Sequence, residues 1–227
     1  MTIEEYFGDW SRVIDLGEAD RLLRKAVNDS PICPLPKDIF KAFHLCSLRD
    51  LRLVICGLDP YPDIYKGNPR ATGLAFANQK DTPSKDFSPS LRILMESVID
   101  FTVPHGIINF DPSLEKWEEQ GVLLLNAALS CLPGKPNSHT LLWRPFLKTL
   151  LTNLSASEAG IIYVLMGSTA QSLEPYINPD TNNVIRIRHP AYYARTKTRM
   201  PDIWKEINQM LMGKYGQKIE WYKEVNN

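Results

Sequence analysis

A chain of 227 residues, with 44% apolar and 23% charged residues, has the composition of an ordinary globular protein and is long enough for one large α/β domain. Its 26 basic and 26 acidic residues cancel, so net charge gives no global argument for a nucleic-acid or membrane-surface partner. No apolar run approaches the length of a membrane span, and the acidic N-terminus lacks the apolar core of a signal peptide. We therefore expect a cytoplasmic or nuclear protein.

The N-terminal region, roughly residues 8–46, carries apolar residues at helical spacing, among them Trp10, Ile14 and Leu22. Three prolines between residues 31 and 36 interrupt this pattern, and a short helix is expected to resume at Asp38. We expect residues 1–50 to form a helical region that packs on the rest of a single domain spanning residues 1–227.

Four short runs rich in Val, Ile and Leu predict strands that are buried on both faces, as in a parallel sheet. Helices are predicted between the strands. One begins with Ser88 as N-cap and Pro89 as first residue, and the last opens at Pro201-Asp202. The alternation predicts an α/β fold, a three-layer α/β/α sandwich with a central, mostly parallel four-stranded sheet. The predicted strands are Leu53–Cys56, Val122–Leu125, Ile161–Leu165 and Val184–Ile187.

Each predicted strand leads to a polar residue able to do chemistry, namely Asp59, Asn126, Ser168 and His189. Ligands in open α/β sheets bind just beyond the carboxyl ends of the strands, so these side chains are expected to converge. An Asn amide can pair with a ring edge that offers N–H beside C=O. His can donate to a developing oxyanion, Asp can orient water, and Phe76 offers a flat stacking surface. The set indicates a pocket for a pyrimidine base.

Several other kinds of site lack support in the sequence. It contains neither G-x-G-x-x-G nor a P-loop, and the G-x-S-x-G of acyl-transfer enzymes is missing. The four cysteines form no C-x-x-C pair and no zinc pattern with His, which favours reduced buried thiols. We expect no metal, no cofactor and no structural disulfide.

A run of basic residues surrounds His189. Residues 184–199 contain five Arg or Lys and no acidic residue. Such a run is either a solvated face or a surface that binds phosphates, and its position around His189 favours phosphates.

These motifs, taken in chain order, resemble family 1 uracil-DNA glycosylases. Gly57-Leu-Asp-Pro-Tyr-Pro62 resembles the family's water-activating G-Q-D-P-Y-H motif. The resemblance covers residues 51–221, and its ordered set of elements is more specific than any single one. The other matching elements are Gly73–Phe76, Gln120–Ala127, Asn137–His139, Gly167–Gln171, His189–Ala194 and Ile219–Trp221.

The resemblance implies a DNA repair enzyme, acting in base excision, that flips deoxyuridine out of DNA and hydrolyses its N-glycosidic bond. Asp59 would position water and stabilise the sugar cation, and His189 would donate to uracil O2. Asn126 would read N3–H and O4, Tyr61 would exclude the thymine methyl, and Phe76 would stack on the ring. The main-chain amide of Leu58 would also serve O2.

The resemblance also implies a set of DNA contacts. Ser88, Ser90, Ser168, Ala191 and Arg195 would hold the DNA, largely through phosphates. Tyr193 would enter the minor groove as a wedge, with Tyr192 or Arg195 as the alternative. The implied partner is uracil-containing DNA, single- or double-stranded, bound by a monomer, and a uracil-glycosylase inhibitor protein is a further candidate partner.

Departures from the family pattern concentrate in the DNA-gripping positions. Leu58 replaces the usual Gln, Pro62 a His, Ala191 a Ser and Tyr193 a Leu, and the segment 62–72 is longer than usual. They motivate an alternative hypothesis, a glycosylase-like DNA-binding or replication-accessory module with weak catalysis. A small-molecule nucleosidase is a further alternative. Turnover of a uracil-containing oligonucleotide, compared with free deoxyuridine, separates the three.

Overall fold

Strands and helices alternate along the chain in the computed structural model, which describes residues 2–28, 31–99 and 106–225. The strands are β1 (Leu53–Gly57), β2 (Ile64–Tyr65), β3 (Asn68–Pro69), β4 (Ile107–Asn109), β5 (Val122–Asn126), β6 (Ile162–Met166), β7 (Asn183–Ile187) and β8 (Lys223–Val225). The α-helices are α1 (Ile3–Phe7), α2 (Leu16–Asn28), α3 (Lys41–Leu45), α4 (Pro89–Val98), α5 (Glu115–Glu118), α6 (Thr140–Ser157), α7 (Ser168–Gln171), α8 (Pro190–Thr196) and α9 (Trp204–Tyr215). Short 3₁₀ helices span Gly8–Arg12, Pro36–Asp38, Leu48–Asp50, Ser84–Asp86 and Glu174–Tyr176.

A central sheet of four parallel strands, in the order β5-β1-β6-β7, lies between helices. Every residue of β1, β5 and β6 is buried, as expected for short apolar strands covered on both faces, whereas the edge strand β7 is partly exposed. The predicted α/β sandwich and its four-stranded sheet are confirmed, and the sheet is parallel throughout.

Two small antiparallel pairs were not predicted. β2 pairs with β3 inside the long segment 62–72, and β4 pairs with β8 near the end of the chain. Each strand is only two or three residues long, so neither pair alternates long enough to give a period-two signal in the sequence.

The helices lie in the predicted regions, but some of them begin at other residues than predicted. The region 8–46 is helical in several pieces, as expected, and the helix expected to resume at Asp38 begins at Lys41, after the 3₁₀ helix Pro36–Asp38. Helix α4 begins at Pro89 as predicted. The last helix begins at Trp204, two to three residues later than predicted. Asp202 precedes it, and its carboxylate accepts a hydrogen bond from the Trp204 backbone N–H at 3.2 Å.

Buried tryptophans tie the outer segments to the core. The Trp10 indole N–H donates to the Cys46 carbonyl at 2.6 Å, and the Trp204 indole donates to Ser97 Oγ at 2.9 Å. Satisfying each indole in this way removes the cost of burying its N–H. The four cysteines are all buried and carry free thiols. Within the described ranges, no helix is both long and apolar enough to span a membrane.

Candidate active site

A cavity of about 170 Å³ opens at the carboxyl end of the sheet. Five of the six residues predicted to contact the base or the reacting atoms line it, and they come from distant parts of the chain: Asp59, Tyr61, Phe76, Asn126 and His189. Pro60, Pro62, Ala71, Leu74, Ser90 and Ala191 complete the wall. The sixth residue, Leu58, is absent from the wall, so its predicted backbone contact remains a proposal.

His189 lies just before α8 and is held in one tautomer. Its Nδ1 accepts a hydrogen bond from the Ala191 backbone N–H at 3.2 Å, so Nδ1 carries no proton and the neutral ring carries its proton on Nε2. Burial lowers the pKa of His189 to about 4. The ring is therefore a neutral hydrogen-bond donor at neutral pH.

Asp59 accepts a hydrogen bond at Oδ2 from the backbone N–H of Asn137, at 2.5 Å. Burial raises the pKa of the Asp59 carboxyl, and the hydrogen bond from Asn137 opposes that rise. Asn137 has a φ of 64°, a left-handed conformation that Asn tolerates better than most residues. Sequence reasoning gave Asn137 no role. An Asn after Gly-Lys-Pro was the available signal of a left-handed turn.

Asn126 is the last residue of β5 and lies opposite Gly57 in the sheet register. It is 6% exposed, and its side-chain amide has no hydrogen-bond partner among the described residues. A Cβ at position 57 would lie 2.9 Å from Asn126 Oδ1 and 2.9 Å from Phe76 Cζ. Glycine at the end of β1 therefore makes room for the amide and the ring.

Phe76 has a φ of 67°, a region that costs a residue with a Cβ roughly 1–2 kcal/mol. The surrounding structure holds it there, since the Tyr61 hydroxyl donates to the Phe76 carbonyl at 3.0 Å. The Phe76 ring lies 5.5 Å from the His189 ring, centroid to centroid, with 44° between the planes. Burial raises the pKa of Tyr61, which keeps its hydroxyl protonated as the donor.

The serines predicted to hold phosphate differ in position. Ser88 is 4% exposed, its backbone N–H donates to Asn78 Oδ1 at 2.8 Å, and its Oγ accepts from Asn78 Nδ2 at 3.2 Å. This pairing engages Ser88 inside the protein, and the phosphate contact predicted for its side chain stays a prediction. Ser90 is buried at the cavity wall, and Ser168 is exposed at the start of α7.

Tyr193, predicted as the wedge that enters the minor groove, is buried in this structure. Its side chain is 7% exposed, and its ring packs edge-on against Tyr192. The cause is the helix α8, which begins at Pro190 and turns residue 193 towards the core. Tyr192 is half-buried beneath the Arg188 guanidinium, which lies 4.3 Å from its ring centroid, and Arg195 is exposed.

Only part of the basic run around His189 forms ion pairs or ring contacts within the protein. Arg186 forms a two-point ion pair with Glu174, and its Nε lies 2.6 Å from Glu174 Oε2. Three further basic side chains are exposed, those of Arg195, Lys197 and Arg199. In the parts of the chain that the structure describes, no group of three or more His, Cys, Asp or Glu could hold a metal ion.

Fold and cavity together define an α/β protein with a polar pocket at the carboxyl ends of a parallel sheet, where a carboxylate, an amide and a neutral imidazole meet. Residues 43–212 match the model of the Uracil DNA glycosylase superfamily, and the chain belongs to that family. It is 35% identical over 201 residues to uracil-DNA glycosylases of Yersinia pestis and Yersinia pseudotuberculosis, a match covering 86% of this chain and 82% of each relative.

Solved structures agree in fold. Mimivirus uracil-DNA glycosylase superposes with a TM-score of 0.73 and 19% identity, covering 96% of this chain and 90% of its own. A variant of mimivirus UNG in complex with UGI superposes with a TM-score of 0.76 and 21% identity, and the match covers 93% of this chain and 83% of the other. The UNG of Nitratifractor salsuginis superposes with a TM-score of 0.63 and 20% identity, and the match covers 87% of this chain and 95% of the other.

Proposed function

We propose that this protein is a family 1 uracil-DNA glycosylase, which hydrolyses the N-glycosidic bond of deoxyuridine in DNA, releases uracil and leaves an abasic site. The observation that carries the proposal is the convergence of Asp59, Asn126 and His189 in one cavity of a chain of this family. The chemistry runs without a metal or an organic cofactor, because these side chains supply the charge and the hydrogen bonds that it needs.

Recognition of uracil falls to three residues. The free amide of Asn126 accepts from N3–H and donates to O4, whereas cytosine presents the reverse pattern and leaves buried partners unpaired. A site of this kind rejects the wrong base by a factor of about 10⁴. Tyr61 stands against C5, where the thymine methyl would lie, and Phe76 stacks on the ring.

Bond cleavage divides between His189 and Asp59. As the bond between C1′ and N1 breaks, its electron pair moves onto the uracil ring, and the neutral His189 donates Nε2–H to O2. A preorganised donor of this kind is worth about 3–4 kcal/mol. Asp59, ionised, stabilises the cationic sugar and accepts a proton from the water whose oxygen bonds to C1′. Its raised pKa makes it a better base than a surface carboxylate once it is ionised.

The DNA reaches this cavity with the target base flipped out of the stack. Ser168 and Arg195, both exposed, contact the DNA, together with Ser90 and Ala191 at the cavity wall. The main-chain amide of Leu58, which does not line the cavity, is retained as a proposed donor to O2. Tyr192 replaces Tyr193 as the proposed wedge, because it is the less buried of the two. The protein acts as a monomer of one domain, residues 1–227, and an inhibitor protein comparable to the UGI bound to mimivirus UNG is a proposed partner.

The test is release of free uracil from single- and double-stranded oligonucleotides, with Asp59→Asn as the inactive comparison and free deoxyuridine as a third substrate. Release from DNA alone, lost in Asp59→Asn, is the expected result. DNA binding without release by the wild type would support the accessory module instead, and release from free deoxyuridine alone would identify a nucleosidase.

A further inference from the structure

The hairpin β2–β3 rises from the rim of the candidate active site. Pro62 precedes it and Ala71 follows it, and both line the catalytic cavity. Lys66 and Gly67 form its turn with φ of 49° and 82°, the left-handed pair expected of a tight hairpin turn. The tip therefore lies on a short rigid connection to the mouth of the cavity.

A hairpin with two residues in each strand is too short to be stable alone, so its anchors fix its position. The Tyr65 hydroxyl donates to Asp86 Oδ2 at 2.9 Å, and Arg70 Nη1 donates to the Asp86 carbonyl at 3.0 Å. Arg70 also pairs with Asp63 at 2.5 Å, and its guanidinium lies 4.6 Å from the Tyr65 ring centroid. The polar groups at the base of the hairpin are therefore hydrogen-bonded or ion-paired to other groups of the protein.

The groups left facing solvent are an apolar side chain and a cation. Ile64 is 52% exposed, and the exposed Lys66 makes no salt bridge to any residue that the structure describes. Its ammonium lies 5.1 Å from the Tyr65 ring centroid, which keeps it at the tip. An exposed isoleucine beside a lysine without an acidic partner, on a rigid support, suits a ligand that is both apolar and anionic.

A groove of about 460 Å³ runs beside the hairpin and shares Ala71 with the catalytic cavity. Lys37 and Lys66 both line it, whereas Lys41, also in its wall, is paired with Glu115 at 2.8 Å. Two acidic residues, Asp38 and Asp81, line it too, so the groove as a whole is not strongly basic. The argument for an anion therefore applies to the hairpin tip rather than to the groove.

We propose that the hairpin β2–β3 is an additional DNA-contact element, in which Lys66 binds a backbone phosphate of the strand that carries deoxyuridine and Ile64 packs on a neighbouring sugar or base. The proposal rests on the proposed function, because DNA must enter the adjoining cavity. A strand that places one nucleotide in that cavity has to cross its rim, where Pro62 offers no hydrogen-bond donor and the hairpin supplies a cation.

The test compares Lys66→Asn with Lys218→Asn. Asn suits the left-handed turn, so Lys66→Asn removes the charge without adding backbone strain, and an unchanged melting temperature verifies the fold. Lys218 is an exposed lysine that shares a cleft with Arg52 and Gln120 at the amino ends of β1 and β5, opposite the catalytic cavity. The measurement is the Kd for a fluorescent single-stranded oligonucleotide without uracil, titrated across salt concentrations.

Loss of one phosphate contact lowers the slope of log K against log salt by about 0.7, which corresponds to about fivefold weaker binding at about 0.1 M salt. That result is expected for Lys66→Asn and not for Lys218→Asn. Ile64→Ser is expected to raise the Kd by the same factor at every salt concentration, because the lost contact is apolar. Ile107→Ser, at an isoleucine of comparable exposure, is expected to leave the Kd unchanged.

Equal slopes for wild type and Lys66→Asn would overturn the proposal, and they are also the result expected if the tip docks a protein instead. Uracil release by the wild type, measured in parallel, tests the glycosylase proposal separately. Release with an unchanged slope refutes the hairpin contact alone, whereas a reduced slope without any release refutes the glycosylase alone.

Discussion

The neutral state of His189 makes a quantitative prediction about pH. A free histidine has a pKa of about 6.5, and burial lowers that of His189 to about 4. This lowering of the pKa corresponds to about 3 kcal/mol against protonating the ring in the folded protein. We therefore expect His189 to remain a neutral donor from pH 8 down to about pH 5.

The same shift lowers stability in acid. Between pH 6.5 and 4 the unfolded chain binds a proton at residue 189 and the folded chain does not, so the free energy of unfolding falls as pH falls through this window. Above pH 6.5 both states are neutral and the contribution is constant. Replacing His189 with Gln, which does not titrate, is expected to flatten this part of the stability curve, as measured by denaturant unfolding at each pH.

The assay for catalysis is single-turnover uracil release between pH 4.5 and 8.5. The wild type is expected to show no inflection near pH 6.5, and its acid limb belongs to Asp59, whose pKa is raised. His189→Ala should lose about 10²–10³ in rate, and His189→Gln less, because its amide still donates. An inflection near pH 6.5 in the wild type that disappears in His189→Gln would refute the neutral donor.

Other substitutions test the remaining walls of the cavity. Asp59→Asn should greatly reduce the single-turnover rate while leaving DNA affinity largely intact, since phosphate contacts dominate affinity; an unchanged rate would remove Asp59 from its role. Asn126→Asp should release cytosine and Tyr61→Ala should release thymine from duplexes with G opposite, and absence of both gains would show that the walls are misassigned. Gly57→Ala should lower uracil release by pushing its methyl group against the Asn126 amide and the Phe76 ring, and wild-type activity at an unchanged melting temperature would contradict the close contact.

The chemical half of the site was predictable from the sequence because it depends on the sheet. Asn126 directly follows an apolar run, and Asp59 and His189 follow such runs within three residues. Parallel strands bring their carboxyl ends to one edge, so strand prediction alone brings these residues together. The tautomer of His189 was not predictable, because it depends on a hydrogen bond from Ala191 that only the start of α8 creates.

The outer half of the site depends on contacts that local patterns do not encode. The side-chain partner of Ser88 is Asn78, ten residues earlier in the chain. The sequence around Ser88 predicts a helix N-cap but does not predict that pairing. Tyr193 was assigned from the family position alone, and the helical turn after Pro190 directs it inward. Tyr65-Lys-Gly-Asn68 did contain a turn signal, but two-residue strands are too short to confirm a hairpin.

The position of Asn126 at the end of a fully buried strand bears on how the protein loses activity under stress. The central strand β1 is hydrogen-bonded on both sides, and its neighbours β5 and β6 are buried along their whole length. Local fraying, which starts in regions with few buried contacts, spares such strands. Heat or denaturant should therefore leave base selectivity intact up to the global transition, and amide protons of residues 53–57 should exchange only through complete unfolding.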